Sequence, residues 1–182
     1  MDIYLSADLH LKHNNLISRD VRGHFKDIQE HDEIIINNWN DIVKKQDLCY
    51  ILGDLVWGRD YEYLKKLNGQ KIIRKGNHDC SKQLEKAKKS NIICNYYDIK
   101  GFMYNENYIV MCHYCLLSWD RRSYGAYMAF GHSHNSLEIV RGRSMDVGLD
   151  AQNYKPIHIN DFISKLKYRD NNSFYNTRTG EK

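Results

Sequence analysis

The stretch Ile72-Ile73-Arg74-Lys75-Gly76-Asn77-His78-Asp79 decides how this chain is read. An apolar run with strand propensity stops at a glycine, which at a strand end permits a tight turn or a close backbone approach. An amide, an imidazole and a carboxylate then follow in succession, a combination that no packed core requires. Three other segments repeat the design. Ile3 to His10 ends in Asp8-Leu9-His10, Leu48 to Asp54 ends in Gly53-Asp54, and Tyr127 to His134 ends in Gly131-His132-Ser133-His134. Strand ends of this kind are expected to converge on one metal-containing site at the rim of a sheet.

Working outward, the first half of the chain alternates strand and helix. Strands are expected at Met1 to Ala7, Asp47 to Leu52 and Lys71 to Arg74. Asp27 and Glu30 have capping-box spacing, and Ile28, Ile35, Ile36, Trp39, Ile42 and Val43 recur near the helical period up to Lys44-Lys45. Asp60 to Leu67 reads as a short helix stopped by Asn68-Gly69, and Ser81 to Lys89 as a third helix with Ser81 as its N-cap. Leu11 to Lys26 reads as polar and irregular.

The second half reads mostly as hairpins. Ile92 to Ile99, Phe102 to Tyr104 and Tyr108 to Cys112 are strand-like, the last two joined through Asn105-Glu106-Asn107. Tyr114 to Tyr124 is a loop. Ala126 to Phe130 is a strand, and Leu137 to Val140 pairs with Ser144 to Leu149 across Arg141-Gly142-Arg143. Ile157 to Ile159 follows Pro156, and Asp161 to Tyr168 closes with a helix. The pattern predicts an α/β protein in which two sheets pack face to face with helices outside. One domain over residues 1–170 is expected, followed by a frayed tail, Asn171 to Lys182, that is almost free of apolar residues.

Composition narrows the function classes. No apolar run approaches the ~20 residues that cross a bilayer, and Met1-Asp2-Ile3 does not start a signal segment, so a cytoplasmic protein without a membrane partner is expected. Five cysteines are an odd number, which argues against a disulfide framework. Cys112 and Cys115 have C-x-x-C spacing, but no second pair completes a zinc site and Cys112 reads as buried strand. The net charge of +4 is scattered, which suits anionic substrates and does not by itself support nucleic-acid binding. Oligomeric state is left open.

The polar residues at strand ends are Asp8, His10, Asp54, Asn77, His78, His113, His132 and His134, which take in five of the nine histidines. Imidazole with carboxylate is the ligand mix of zinc, iron and manganese sites, whereas calcium or magnesium prefers oxygen alone. If one carboxylate bridges, seven of these eight residues suffice for two adjacent metals, and His78 is left over.

Taken in order, Asp8-x-His10, Gly53-Asp54, Gly76-Asn77-His78-Asp79, His113 and Gly131-His132-x-His134 resemble the calcineurin-like metallophosphoesterase family. The resemblance runs from about Ile3 to Asp150 and is strongest to the small single-domain bacterial and phage members. It implies a four-layer α/β/β/α sandwich of two mixed β-sheets flanked by helices. It also implies one metal on Asp8, His10, Asp54 and His134, and a second on Asp54, Asn77, His113 and His132, with Asp54 as the bridge. The metals would be divalent manganese, iron, zinc or nickel. A hydroxide between them would attack phosphorus, and with His78 available to protonate a departing alkoxide the expected activity is a phosphodiesterase. A phosphomonoesterase or a nucleotide pyrophosphatase on the same site is the alternative, and a non-catalytic metal-binding scaffold a further one. The partner is then a phosphoester, with nucleotides among the candidates.

Within that reading His78 is the general acid, and Asp79 would orient its ring. His13, Asn15, Arg121 and Arg122 are candidate substrate contacts, with Trp119 in the same loop as the arginines. His24, His31 and His158 match nothing in the pattern and read as structural or solvated. Two departures matter. The Asp-Arg-Gly that follows the bridging aspartate in protein Ser/Thr phosphatases and bis-nucleoside tetraphosphatases is replaced by Asp54-Leu55-Val56-Trp57-Gly58, which argues against those substrates. Cys115 stands where the small members carry proline after His-Tyr.

Overall fold

The computed structural model describes residues 1–18, 21–138 and 140–171. In chain order the main elements are β1 (Ile3–Ser6), α1 (Asn14–Ser18), α2 (Ile28–Ile42), β2 (Leu48–Ile51), β3 (Gln70–Arg74), α3 (Ser81–Lys89) and β4 (Asn95–Tyr97). They continue with β5 (Ile99–Tyr104), β6 (Asn107–Cys112), β7 (Tyr127–Phe130), β8 (Ser144–Asp146), β9 (Ile157–His158) and α4 (Ile159–Leu166). One sheet has the order β4-β3-β2-β1-β9 and the other β5-β6-β7-β8. Both are mixed: β9 is antiparallel to β1 in the first sheet, and β5 to β6 in the second. The expected α/β architecture, two mixed sheets flanked by helices, is what the chain adopts.

Strand alternation distributes the core. Successive side chains in a strand point to opposite faces. Cys49 and Ile51 therefore join Tyr4 and Ile73 in the cluster beneath α2 and α3, with Ile35, Trp39, Leu84 and Ala87. Tyr50 and Leu52 point the other way, into the layer between the sheets, where they meet Leu5, Ile109, Met111, Tyr127 and Ala129. Val110, Cys112, Met128 and Phe130 form the outer face of the second sheet, under Trp119 and Ala126 of the 114–126 loop. Burying each large apolar side chain contributes about 1.5–3 kcal/mol. Phe162 and Leu166 of α4 close the inter-sheet layer.

Several local expectations change in detail. Asp27 caps α2 by accepting from the Gln29 and Glu30 N–H groups, but Glu30 reaches back to the Lys26 N–H at 2.6 Å rather than to Asp27, so the box closes one residue early. The N-cap of α3 is Cys80, and Ser81 is its first helical residue. Residues Tyr61–Lys66 wind as a 3-10 helix, and α1 lies inside the segment expected to be irregular. The Asn105-Glu106 turn joins β5 and β6 with φ of 42° and 65°, the left-handed pair that a two-residue hairpin turn requires. Ile92 to Ile99 is divided: β4 joins the first sheet and β5 begins the second at Ile99.

The larger correction concerns the second half. Among the described residues only β5–β6 is a hairpin there; β6–β7 and β7–β8 are parallel. The described residues of 137–140 form no strand, and Ile139 lies outside the described residues. Segments 113–126 and 131–143 are crossover connections, which parallel neighbours need. Asn171, expected in the tail, is buried: its side chain donates to the Arg122 and Ala126 carbonyls and accepts from the Arg143 N–H. The rest of the expected tail, 172–182, lies outside the described residues.

Candidate metal centre

Parallel pairing places the polar strand ends together. Strands β1, β2 and β3 run in one direction within their sheet, and β6, β7 and β8 in theirs. Their C-terminal ends therefore share an edge, the place where open α/β sheets bind ligands. The two edges are stitched together there: the Leu149 N–H donates to the Ala7 carbonyl, and Ala7 pairs with Gly148. Asp8 and His10 leave β1, Asp54 leaves β2, Asn77 and His78 leave β3, His113 leaves β6, and His132 and His134 leave β7.

The backbone at these ends is held in a sparsely populated conformation. Asp8, His10, Asp54, His132 and His134 have φ of 56°, 45°, 54°, 68° and 47°. Non-glycine residues there cost of order 1–3 kcal/mol each and persist where the surroundings impose them. The chain is also closely packed around them. A Cβ on Gly76 would overlap Asp54 Oδ1, and one on Gly131 would lie 2.5 Å from Asp8 Oδ2.

Two ligand groups result. Asp8, His10 and His134 each offer an atom within 4.8 Å of the others, and so do Asp54, His113 and His132. Asp54 Oδ2 lies between the groups, 3.5 Å from His10 Nε2 and 3.5 Å from His113 Nε2. His113 Nδ1 donates to the Leu52 carbonyl at 2.6 Å, so Nε2 carries the lone pair. That lone pair faces Asn77 Oδ1 at 2.9 Å and Asp54 Oδ2. His134 Nδ1 likewise donates to Asp150 Oδ2 at 2.8 Å, leaving Nε2 as its acceptor. Asp8 Oδ2 accepts the His132 N–H at 2.8 Å, while Asp8 Oδ1 and His10 Nε2 are buried without a hydrogen-bond partner.

Burial disfavours either charge sign at this depth. It pushes Asp8 up to about 8, against the pull of His134 and with the Asp54 carboxylate adding to the rise. It holds His10 well below the ordinary imidazole value, helped by the Arg22 guanidinium, and lowers His132 as well. Burial also opposes charging His134, but the Asp150 hydrogen bond and Asp8 outweigh it and raise its pKa. Converging acceptor lone pairs around a half-satisfied buried carboxylate fit divalent cations with mixed nitrogen and oxygen ligands.

A buried network that orients these candidate ligands carries no mark in the sequence. Arg22 is fully buried and donates from Nη2 to the Asp8 carbonyl at 2.6 Å and from Nη1 to the Leu9 carbonyl at 3.2 Å. Its Nε and Nη2 grip Asp150, and Nη1 donates to His31 Nε2 at 2.8 Å. His31 Nδ1 then donates to Asp32, whose carboxylate also takes the Lys12 N–H. His134 and the 8–12 loop are thus fixed by one chain of bonds. Asp146 plays a similar part, accepting from Ser133 Oγ and the Asn135 and Gly148 N–H groups. His31 is structural, one of the two readings its sequence position allowed. No periodicity or spacing links positions 22, 31 and 150.

The remaining predicted residues separate. His78 stands at the rim, its side chain 43% exposed, with Nε2 3.9 Å from Asp54 Oδ2 and its N–H donating to Asp54 Oδ1. Asp79 does not orient that ring. Its carboxylate faces the end of β2 instead, accepting from the Asp54, Leu55 and Gly76 N–H groups and from Tyr61 Oη. His13 is buried beside the centre, with Nδ1 3.2 Å from His10 Nδ1 and its ring stacked on Trp57. Asn15 is exposed on α1, and its carbonyl accepts from Ser18 Oγ.

Arg121 and Arg122 belong elsewhere. Arg121 lies over Tyr108, five residues and so roughly 16 Å of strand before His113. Arg122 is buried beside Trp119. The 114–126 connection carries both arginines onto the outer face of the second sheet, beside Tyr108 and Trp119.

No family model matches the chain. The uncharacterised protein MJ1445 of Methanocaldococcus jannaschii is 30% identical over 175 residues, covering 90% of each chain. Among solved structures, AQ665 from Aquifex aeolicus, a protein of unknown function, superposes with a TM-score of 0.68 at 22% identity. The superposition covers 91% of this chain and 99% of that one and shows a shared fold. YfcE, a phosphoesterase from E. coli, covers 81% of this chain and 78% of its own at 12% identity and a TM-score of 0.42, too partial to carry a functional conclusion.

Proposed function

This chain belongs to the family of the M. jannaschii protein MJ1445, and for it we propose a metal-dependent phosphodiesterase with two divalent transition-metal ions, manganese, iron, zinc or nickel. The observation that carries the proposal is Asp54 Oδ2 standing 3.5 Å from an imidazole nitrogen in each of two ligand groups. Asp8, His10, Asp54 and His134 would hold one ion. Asp54, Asn77, His113 and His132 would hold the other. The order of these residues along the chain, which resembles the calcineurin-like metallophosphoesterases, supports the same assignment.

When bound, such ions supply Lewis-acid charge to phosphoryl oxygens and lower the pKa of water so that a nucleophile forms near neutral pH. The protein's residues supply the rest. Asp8 and Asp54 place negative charge where the ions bind, and the Asp150 and Leu52 carbonyl contacts aim His134 and His113 in the required tautomers. His78, at the open rim beside Asp54, donates a proton to the departing alkoxide, so that a diester and water yield a monoester and an alcohol. Asp79 holds the β2 and β3 ends in register from behind. Among the described residues no helix is long and apolar enough to cross a membrane. All five cysteines are free thiols.

The test is a screen of nucleotide diesters, cyclic nucleotides, bis-p-nitrophenyl phosphate and p-nitrophenyl phosphate with protein loaded in turn with manganese, zinc, nickel and iron. Diester turnover that exceeds monoester turnover is the expected result. Monoester or pyrophosphate preference would move the activity to those classes, and inertness of metal-loaded protein toward every phosphoester would sink the enzymatic reading.

A further inference from the structure

We propose that the cavity beside Trp57 binds a nucleobase, so that the phosphoester handled here is one carrying a nucleotide; this rests on the phosphodiesterase reading. Val56, Trp57, Gly58, Asn77 and His78 line a cavity of about 380 Å³. That volume lies in the range of small-ligand pockets. Two of its walls, Asn77 and His78, are also residues of the metal centre, so a group seated in it is continuous with a phosphate bound there.

The cavity has one large flat wall. Trp57 is 42% exposed, whereas Trp39 and Trp119 are 1% and 8% exposed. Its exposure is not looseness. The indole stacks on the buried His13 ring with centroids 3.8 Å apart and planes within 3°, and His13 is joined to the ligand His10. The ring of His78 stands 5.5 Å from the indole at 55°, forming a side wall. At Gly58 a Cβ would meet nothing within 4 Å, so that side is open. A rigid, half-exposed π-face next to a phosphate site is the arrangement used for base stacking, and it tolerates any base because every base has a π-face. Among the described lining residues the polar side chains are the amide of Asn77 and the imidazole of His78, and the large flat surface is the Trp57 ring.

The experiment compares AMP with ribose 5-phosphate, which share the sugar phosphate and differ by the base, using calorimetry on manganese-loaded protein. AMP is expected to bind about 5- to 150-fold more tightly. Trp57→Ala should erase that preference, and Trp57→Phe should restore most of it. AMP, but not ribose 5-phosphate, should quench the exposed indole in wild-type protein. Equal affinity for the two ligands, or a preference that survives Trp57→Ala, would overturn the assignment. Penta-adenylate run alongside tells the source of the base: tighter binding than AMP assigns a strand end, weaker binding a free nucleotide, and both keep the stack. Hydrolysis of bis-p-nitrophenyl phosphate without any AMP preference overturns the base site alone. An AMP preference without hydrolysis of any diester upholds the base site and overturns the reading beneath it.

Discussion

Arg22 and Asp150, 128 positions apart, meet in a two-point ion pair, Nε to Oδ1 at 2.9 Å and Nη2 to Oδ2 at 2.7 Å, with the guanidinium wholly buried. Asp150 Oδ2 also accepts the Nδ1–H of His134. The pair therefore links the segment after β1, through its bonds to the Asp8 and Leu9 carbonyls, to the histidine after β7. Asp150→Ala leaves a buried guanidinium half-partnered, and removing one member of such a pair costs about 3–5 kcal/mol. Urea unfolding should show that loss. Arg22→Lys with Asp150 intact should also lose stability, because an ammonium lacks the planar fork that reaches both carboxylate oxygens.

Asp54→Asn should weaken retention of both ions together, since the same oxygen faces both ligand groups. His132→Ala, by contrast, touches only one group and should cost one ion. Metal analysis after exhaustive desalting reads the stoichiometry directly, and full occupancy in Asp54→Asn would refute the bridge.

His78→Ala should lower turnover of an unactivated diester by about 10²- to 10⁴-fold with metal content unchanged. The loss should shrink for a p-nitrophenyl ester, whose leaving group needs no proton. Equal losses on both esters would remove His78 from the proton transfer.

Asp79→Ala should act on stability before chemistry. It strands the N–H groups of Asp54, Leu55 and Gly76, and each buried unsatisfied donor costs about 1–3 kcal/mol. A lowered urea midpoint is expected. If Asp79 acted chiefly on His78, Asp79→Asn would instead reproduce the leaving-group dependence of His78→Ala at unchanged stability.

Chelation should lower the melting temperature. Ions that bind only the folded chain stabilise it by mass action, about 2.7 kcal/mol at a free concentration of 100 times Kd. Titrating EDTA during thermal melts checks this, and His10→Ala should blunt the response.

Much of the centre is legible in one dimension because its chemistry is carried by residue types that a core does not need. Gly76-Asn77-His78 and Gly131-His132-Ser133-His134 announce themselves as strand ends, and neither needs a neighbour in space to be noticed. Arg22 and Asp150 carry no such mark. A buried arginine looks like any surface arginine until its partner 128 positions away is known. Asp79 differs from its sequence reading for the same reason: adjacency to His78 implies a contact, while the backbone turn aims its carboxylate at the end of β2.

The sequence by itself determined which side chains are available for metal chemistry, that they end strands, and that the chain forms two sheets flanked by helices, because local propensity and alternation act over a few residues. Only the tertiary structure decided that β6, β7 and β8 run parallel, since strand direction depends on which distant strands pair. That direction is what brings His113, His132 and His134 to the same edge as Asp8, Asp54 and Asn77. It also sends Arg121 and Arg122 to the far face and leaves Trp57, stacked on His13, standing at the rim.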